Sequence, residues 1–215
     1  DGNSGNNYTV TLAGNSSSSI TRQASVTWIG GATGDWFNPA NWAVTGNLGV
    51  AGAVPDLSNV QAVVIGAGKT VTLNDSVAGR TGLAETGTVN ITTLSGGGSL
   101  TVNAGDLSAT SINVVQLNTS SGTSITTSAG ITVAPATGTS DTIAGILAGN
   151  GTLTKNGAGT TILTGANTYA GATTIGAGAL QVGSGSTSGS IGVGSIANNG
   201  QLIVNASSDM SLTQS

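Results

Sequence analysis

The stretch 149–183 sets four short runs of strand-forming residues, Thr152–Lys155, Thr160–Leu163, Ala172–Ile175 and Ala179–Val182, between turns rich in Gly and Asn. Such turn residues accept a positive φ at little steric cost. Strand-and-turn spacing this regular is the pattern of a coil-by-coil β stack. The same grammar begins near residue 58, with Val60–Ile65, Thr70–Leu73, Val89–Leu94, Ser99–Val102 and Ser111–Leu117. It continues through Ser124–Thr126, Ile131–Val133, Thr142–Leu147, Asn199–Asn205 and Met210–Leu212. No window combines a 3.6-residue apolar period with capping residues, so the expected helix content is near zero.

A β-sandwich also produces short strands separated by turns. Two features favour a solenoid. Asn follows the strand at Val102-Asn103 and Val204-Asn205, where an Asn can bond corner backbone and adopt αL. The runs also lack bulk, since aromatic residues are 3% of the chain. A narrow interior of Val, Ile, Leu and Ala suits a right-handed parallel β-helix, in which adjacent coils lie ~4.8 Å apart. The predicted fold class is therefore all-β, a β-solenoid. At roughly twenty residues per coil, residues 58–215 hold about seven to eight coils. Disorder does not fit, because charged residues are only 6% of the chain and Val, Ile and Thr are abundant.

Four basic residues, Arg22, Lys69, Arg80 and Lys155, against eight acidic ones leave a net charge of −4. That excludes a basic footprint for nucleic acid and argues against attraction to an anionic membrane. The chain has no Cys and no His. Disulfide stapling is thereby removed, along with the commonest metal ligand and general base. No run of ~20 apolar residues is present, so no direct membrane insertion is expected of this segment.

Three regions follow: a lead-in of strand and loops over 1–24, a Trp-rich cap over 25–57, and solenoid coils over 58–215. In the lead-in, Tyr8–Leu12 alternates as a strand that can pair with a neighbouring coil or with another chain. The second region holds Trp28, Trp36, Trp42 and Phe37 within fifteen positions, tied by turns at Asn38-Pro39 and Val54-Pro55-Asp56. An end of a stacked core exposes apolar side chains and unpaired strand edges, so a plug over that end is the preferred reading. Its rival is a carbohydrate platform in which the faces of Trp28, Trp36 and Trp42 lie beside Asp35, Asn38 and Asn41.

No catalytic constellation emerges. A serine-protease triad fails for want of His. Lys69 and Lys155 read as turn residues, and the acids are scattered singly, unlike a glycosidase pair. Gly66-Ala-Gly-Lys69 lacks the spacing of a phosphate loop, and Gly96-Gly-Gly-Ser99 lacks the aspartate of a calcium repeat. No catalytic residue, metal or cofactor is predicted. Thr-x-Thr words at Thr9, Thr70 and Thr152 would form a hydroxyl array if stacked in register, although outward Thr on a β surface is the ordinary case.

The words Gly151-Thr-Leu-Thr-Lys-Asn-Gly-Ala-Gly159, Leu163-Thr-Gly-Ala-Asn-Thr-Tyr-Ala-Gly-Ala-Thr173 and Gly178-Ala-Leu-Gln-Val182 occur in order over about 32 residues. Together they resemble the autotransporter-associated β-strand repeat of type V secreted passenger domains. The Trp28–Pro55 stretch is similar to a segment found near the start of such passengers. The resemblance implies a right-handed β-helix exported through periplasm and outer membrane to the bacterial cell surface. It further implies a non-enzymatic segment of an adhesin or display stalk, with a host or neighbouring-cell surface or a glycan as partner. One alternative is a self-assembling structural subunit of an extracellular fibre or biofilm matrix, associating through solenoid ends or the strand Tyr8–Leu12. A lesser alternative is a carbohydrate-active β-helix. Specific recognition is expected near Trp36 or in the Ser184–Gly194 loop.

Overall fold

The computed structural model describes residues 8–13, 17–51, 54–55, 60–73 and 88–208. The expected run Met210–Leu212, the tract 1–7 and Asp56 lie outside the described residues. The described chain is all-β with parallel sheets, and its helix is limited to a single 3-10 turn, Pro39–Asn41.

Strands alternate between a 12-stranded and an 8-stranded sheet. In the first, Ser17–Trp28, Val60–Val64, Thr88–Ser95, Asp106–Val114, Ser124–Val133, Thr152–Lys155, Thr173–Ile175 and Ile196–Asn198 follow one another in parallel. In the second, the succession is Thr33–Asp35, Thr70–Leu73, Ser99–Val102, Gln116–Thr119, Ser140–Ile143, Thr160–Leu163, Ala179–Val182 and Gln201–Val204. The chain visits each sheet in turn, and each strand of these two series bonds to its counterpart one turn away. This arrangement is consistent with a β-solenoid. Thr160 pairs with Ala179, nineteen residues on, and Ala179 with Gln201, twenty-two on. The first turns are longer, with Thr33 paired to Thr70, thirty-seven residues away.

Parallel pairing in register stacks equal positions. The column Val26, Val63, Leu94, Ile112, Ile131 and Leu153 is buried from one end to the other. The second sheet contributes the inward column Leu73, Val102, Thr119, Ile143, Leu163 and Val182. Between them lies one continuous apolar core that also takes in Trp28, Trp36 and Trp42. Alternation along each strand puts Thr, Ser and Asn outward, which is why a chain so poor in charge still carries a polar surface.

The corners explain the glycines. Gly149 has φ +92°, and an added Cβ would strike the Thr127 carbonyl of the preceding turn. Gly171 has no such backbone requirement, yet a Cβ there would collide with the carbonyl of Gly151. Here glycine serves close approach between successive coils rather than a turn.

The starting end is built differently. Trp42–Val44 pairs antiparallel with Val26–Trp28, on the edge opposite Val60–Val64, and Asn47–Ala51 pairs antiparallel with Trp42–Val44. Tyr8–Ala13 forms an antiparallel hairpin with Ser17–Arg22, so this strand pairs within its own chain. The strand Ser17–Trp28 continues across residue 24, where composition suggested a change from lead-in to aromatic segment.

Two variants test the stack. Ile131→Ala empties an inward column position and should cost about 2–5 kcal/mol in chemical denaturation. Thr132→Ala, on the outward side of the same strand, should stay within about 0.5 kcal/mol of the parent.

Candidate functional site

Trp28, Trp36 and Trp42 converge because their segments cross at the starting end. Trp28 ends the first long strand and lies opposite Trp42 in the antiparallel pair. Trp36 follows Thr33–Asp35, and its amide donates to the Thr72 carbonyl one turn on. The rings meet edge to face: Trp28 and Trp42 have centroids 5.1 Å apart at 83°, and Trp36 and Trp42 are 5.2 Å apart at 69°. Such geometry sets the positive edge of one ring against the negative face of another.

Each indole N–H is committed. Trp28 Nε1 donates to the Gly31 carbonyl at 3.0 Å, Trp36 Nε1 to that of Pro55 at 2.7 Å, and Trp42 Nε1 to that of Trp36 at 2.6 Å. Trp36 and Trp42 are fully buried and Trp28 is 4% exposed. A stacked sugar needs an open ring face, and these rings present theirs to one another and to the core.

The neighbouring polar residues hold the turn. Asp35 Oδ1 accepts from the Phe37 amide at 3.1 Å, and Asn38 Oδ1 accepts from the Ala40 amide at 3.0 Å, capping the 3-10 turn. Asn41 Nδ2 donates to the Asp35 carbonyl at 3.1 Å. All six candidate residues thus come together, with Asn38 exposed and Asp35 and Asn41 partly so. Lys69 Nζ adds a 3.4 Å bond to the Gly30 carbonyl.

Two ionisable side chains occupy interior positions. Lys155 falls in the inward column between Val133 and Ile175, and Asp141 lies opposite Thr161 in the other sheet. Both are fully buried. The Lys155 ammonium donates to the carbonyls of Asn156 at 3.0 Å, Gly157 at 2.9 Å and Ala177 at 3.1 Å, joining the corner of its own turn to that of the next. Burial lowers the Lys155 pKa, and the Asp141 charge raises it in part. Asp141 Oδ2 accepts from Thr161 Oγ1 at 3.3 Å, while Oδ1 has no hydrogen-bond partner. Burial pushes the Asp141 pKa up to about 6, against the pull of Leu117, Gln116, Thr161 and Lys155.

Sequence reasoning assigned Lys155 to a turn. Its alternation with Leu153 was the available signal that it faces inward. For Asp141 the corresponding signal was alternation with Ile143.

Asn167 links three turns. Its Oδ1 accepts from the Leu147 amide at 2.8 Å, and its Nδ2 donates to the Ser190 carbonyl at 2.7 Å. Ser190 Oγ donates back to the Asn167 carbonyl at 3.1 Å. Nearby, the Tyr169 and Thr173 hydroxyls bond at 2.7 Å in the interior. These residues build coil geometry, and no reacting pair forms among them. Among the described residues no group of three or more His, Cys, Asp or Glu could hold a metal ion.

Residues 153–182 match the passenger-associated-transport-repeat family. Over 133 residues the chain is 34% identical to the adhesin BmaC autotransporter of Brucella suis biovar 1 (strain 1330). The alignment covers 57% of this chain, and the chain spans about 4% of that much longer protein. No solved structure matches the chain.

The interior acid makes stability depend on pH. The folded pKa of about 6 exceeds the ordinary carboxyl value of 3.8, so the folded state holds the proton more tightly. Its contribution is complete below about pH 4 and is lost as pH rises through about 6. The melting temperature should fall over that window, and Asp141→Asn should flatten the fall. Lys155→Met removes the opposing charge and should shift the fall to higher pH. At the tryptophans, Trp36→Ala should cost about 3–5 kcal/mol in chemical denaturation. In the parent, quencher access to tryptophan fluorescence should rise sharply only on unfolding.

Proposed function

We propose that the chain is an autotransporter passenger segment, exported to the cell surface, and a capped part of a non-enzymatic adhesive stalk; the repeat matched at residues 153–182 and the likeness to the Brucella adhesin support this. In this reading residues 58–215 close into a right-handed β-solenoid and residues 25–57 cap its starting end. Residues 1–24 lead into the cap.

The observation that carries the proposal is the coincidence of the matched repeat with coil-to-coil bonding. Within residues 153–182, Lys155 and Asn167 each reach into a neighbouring turn. The repeat thus supplies the groups by which one coil docks on another, which suits a chain that extends an elongated surface structure. The cap is supported by the antiparallel strands on the first edge and by the interlocked tryptophans. With the indole faces enclosed, Asp35, Asn38 and Asn41 are the members of the cluster left to meet a sugar.

The non-enzymatic reading rests on chemistry. The Lys155 ammonium is held by three carbonyls, and Asp141 shares the interior with it. Neither is placed to meet an outside substrate. The partner proposed is a host or neighbouring-cell surface; the Brucella relative is named an adhesin.

Attachment of beads tests this. Beads coated with the chain should bind epithelial or bacterial cell layers more than beads coated with an unrelated β-rich protein. Equal attachment of both would overturn the adhesive reading.

A further inference from the structure

The stacked surface breaks register at one place in successive turns. Asp106–Ala109 pairs with Ser124–Thr127, the register slips between Ala109 and Ser111, and pairing resumes with Ser111 opposite Gly130. One turn on, Ile146–Ala148 lies on Ser124–Thr126 and Thr152–Lys155 lies on Gly130–Val133. The linker Gly149–Gly151 therefore spans the same bend.

An open cleft of about 330 Å³ lies at this bend. That size is within the range of small-ligand sites, roughly 300–1,000 Å³. Its polar lining is Ser108, Thr110, Thr126, Ser128 and Asn150, with Ala109 buried beneath. No charged residue lines it.

These hydroxyl and amide groups form no side-chain hydrogen bond with the protein. Some surface hydroxyls satisfy one another, as where Ser25 and Thr27 both bond Thr45 and Ser188 bonds Ser207 and Ser208, whereas outward hydroxyls such as Thr132, Thr154 and Thr174 lie outside the cleft. The cleft thus gathers uncommitted neutral donors and acceptors in a concavity. A floor of Ala and Gly lets a ring approach closely.

The backbone disfavours strand addition by an extended peptide, because pairing is interrupted only at the slip itself. Strands Asp106–Val114 and Ser124–Val133 are paired on both sides. The outer side of Ile146–Ala148 is met by the amides of Thr168 and Tyr169, which donate to the Leu147 carbonyl. No strand edge is free for β-addition here, and no charge invites an ionic side chain.

We infer that the cleft at residues 108–110, 126–128 and 149–150 is a binding site for a neutral oligosaccharide of hexose or N-acetylhexosamine units. The inference rests on the adhesive reading and names the chemistry that the surface recognises.

The test is an array of neutral, sialylated and sulfated oligosaccharides probed with the whole chain, then calorimetric titration with the best neutral binder. A neutral ligand should bind, and Thr126→Val combined with Ser128→Ala should weaken it at least about tenfold. Asn150→Ala on the other wall should weaken it as well. Ser184→Ala, away from the cleft, should leave binding unchanged, and all variants should keep the parent melting temperature to within a few degrees. The inference is overturned if no neutral oligosaccharide binds, if only charged ones do, or if the cleft variants bind like the parent. Bead attachment without neutral-glycan binding removes this inference and leaves the adhesive reading standing. Glycan binding without bead attachment does the reverse.

Discussion

Among the described residues, the strands of the two parallel series complete their backbone hydrogen bonding with the equivalent strand one turn away. Almost everything else follows from that constraint. Equal positions must stack, so an inward side chain rests on another inward side chain along the whole column from Val26 to Leu153. Narrow stacking favours Val, Ile and Leu and leaves little space for aromatic rings. The rings gather at the edge where Ser17–Trp28 is paired antiparallel by Trp42–Val44 instead of by a parallel turn. There the strands are antiparallel, and three indoles pack on one another within the core.

The stack also accounts for its own exceptions. A lysine on an inward column would ordinarily be ruinous, because an unpaired buried ammonium is costly. Lys155 is tolerated because the corner beside it turns three carbonyls toward its head. Those carbonyls come from two turns, so the ammonium fastens one coil to the next. Asp141 is compensated less completely, with one oxygen lacking a partner. The result is an interior that is held together by charge near Lys155 and is sensitive to protonation near Asp141.

Much of this was legible in the residues. The runs Thr70–Leu73, Ser99–Val102, Thr152–Lys155, Thr160–Leu163 and Ala179–Val182 coincide with strands, because each is short, rich in strand-forming residues and bounded by Gly or Asn. Errors arose where local punctuation and backbone pairing disagree. Ser124–Thr126 and Ile131–Val133 are one strand, since parallel pairing with Asp106–Val114 resumes at Gly130 after a slip over Ser128 and Ala129. Ser17–Trp28 was read in part as loop because its polar serines outweigh its few apolar residues. The tryptophan cluster was recognised as a unit, and its rings turn inward as the preferred plug requires and the rival sugar platform does not. Composition places aromatics near one another, whereas burial depends on which edge they must cover.

Recognition must then be sought where stacking is imperfect. A regular outer face repeats Thr, Ser and Asn at every rung, and such repetition offers little to distinguish one ligand from another. The interior columns are closed, and the tryptophans are spent on one another. A register slip differs from both, because it removes side chains from the repeating pattern and creates a concavity. At residues 109–111, 128–130 and 149–151 the break recurs on adjacent turns, so small local irregularities add up to a surface feature spanning several coils. The loop 184–194 differs again: Ser184 and Thr187 bond each other, as do Ser188 and Ser207, so its hydroxyls are already engaged. On physical grounds the bend, with its polar groups still uncommitted, is the better place for this stack to carry a specific contact.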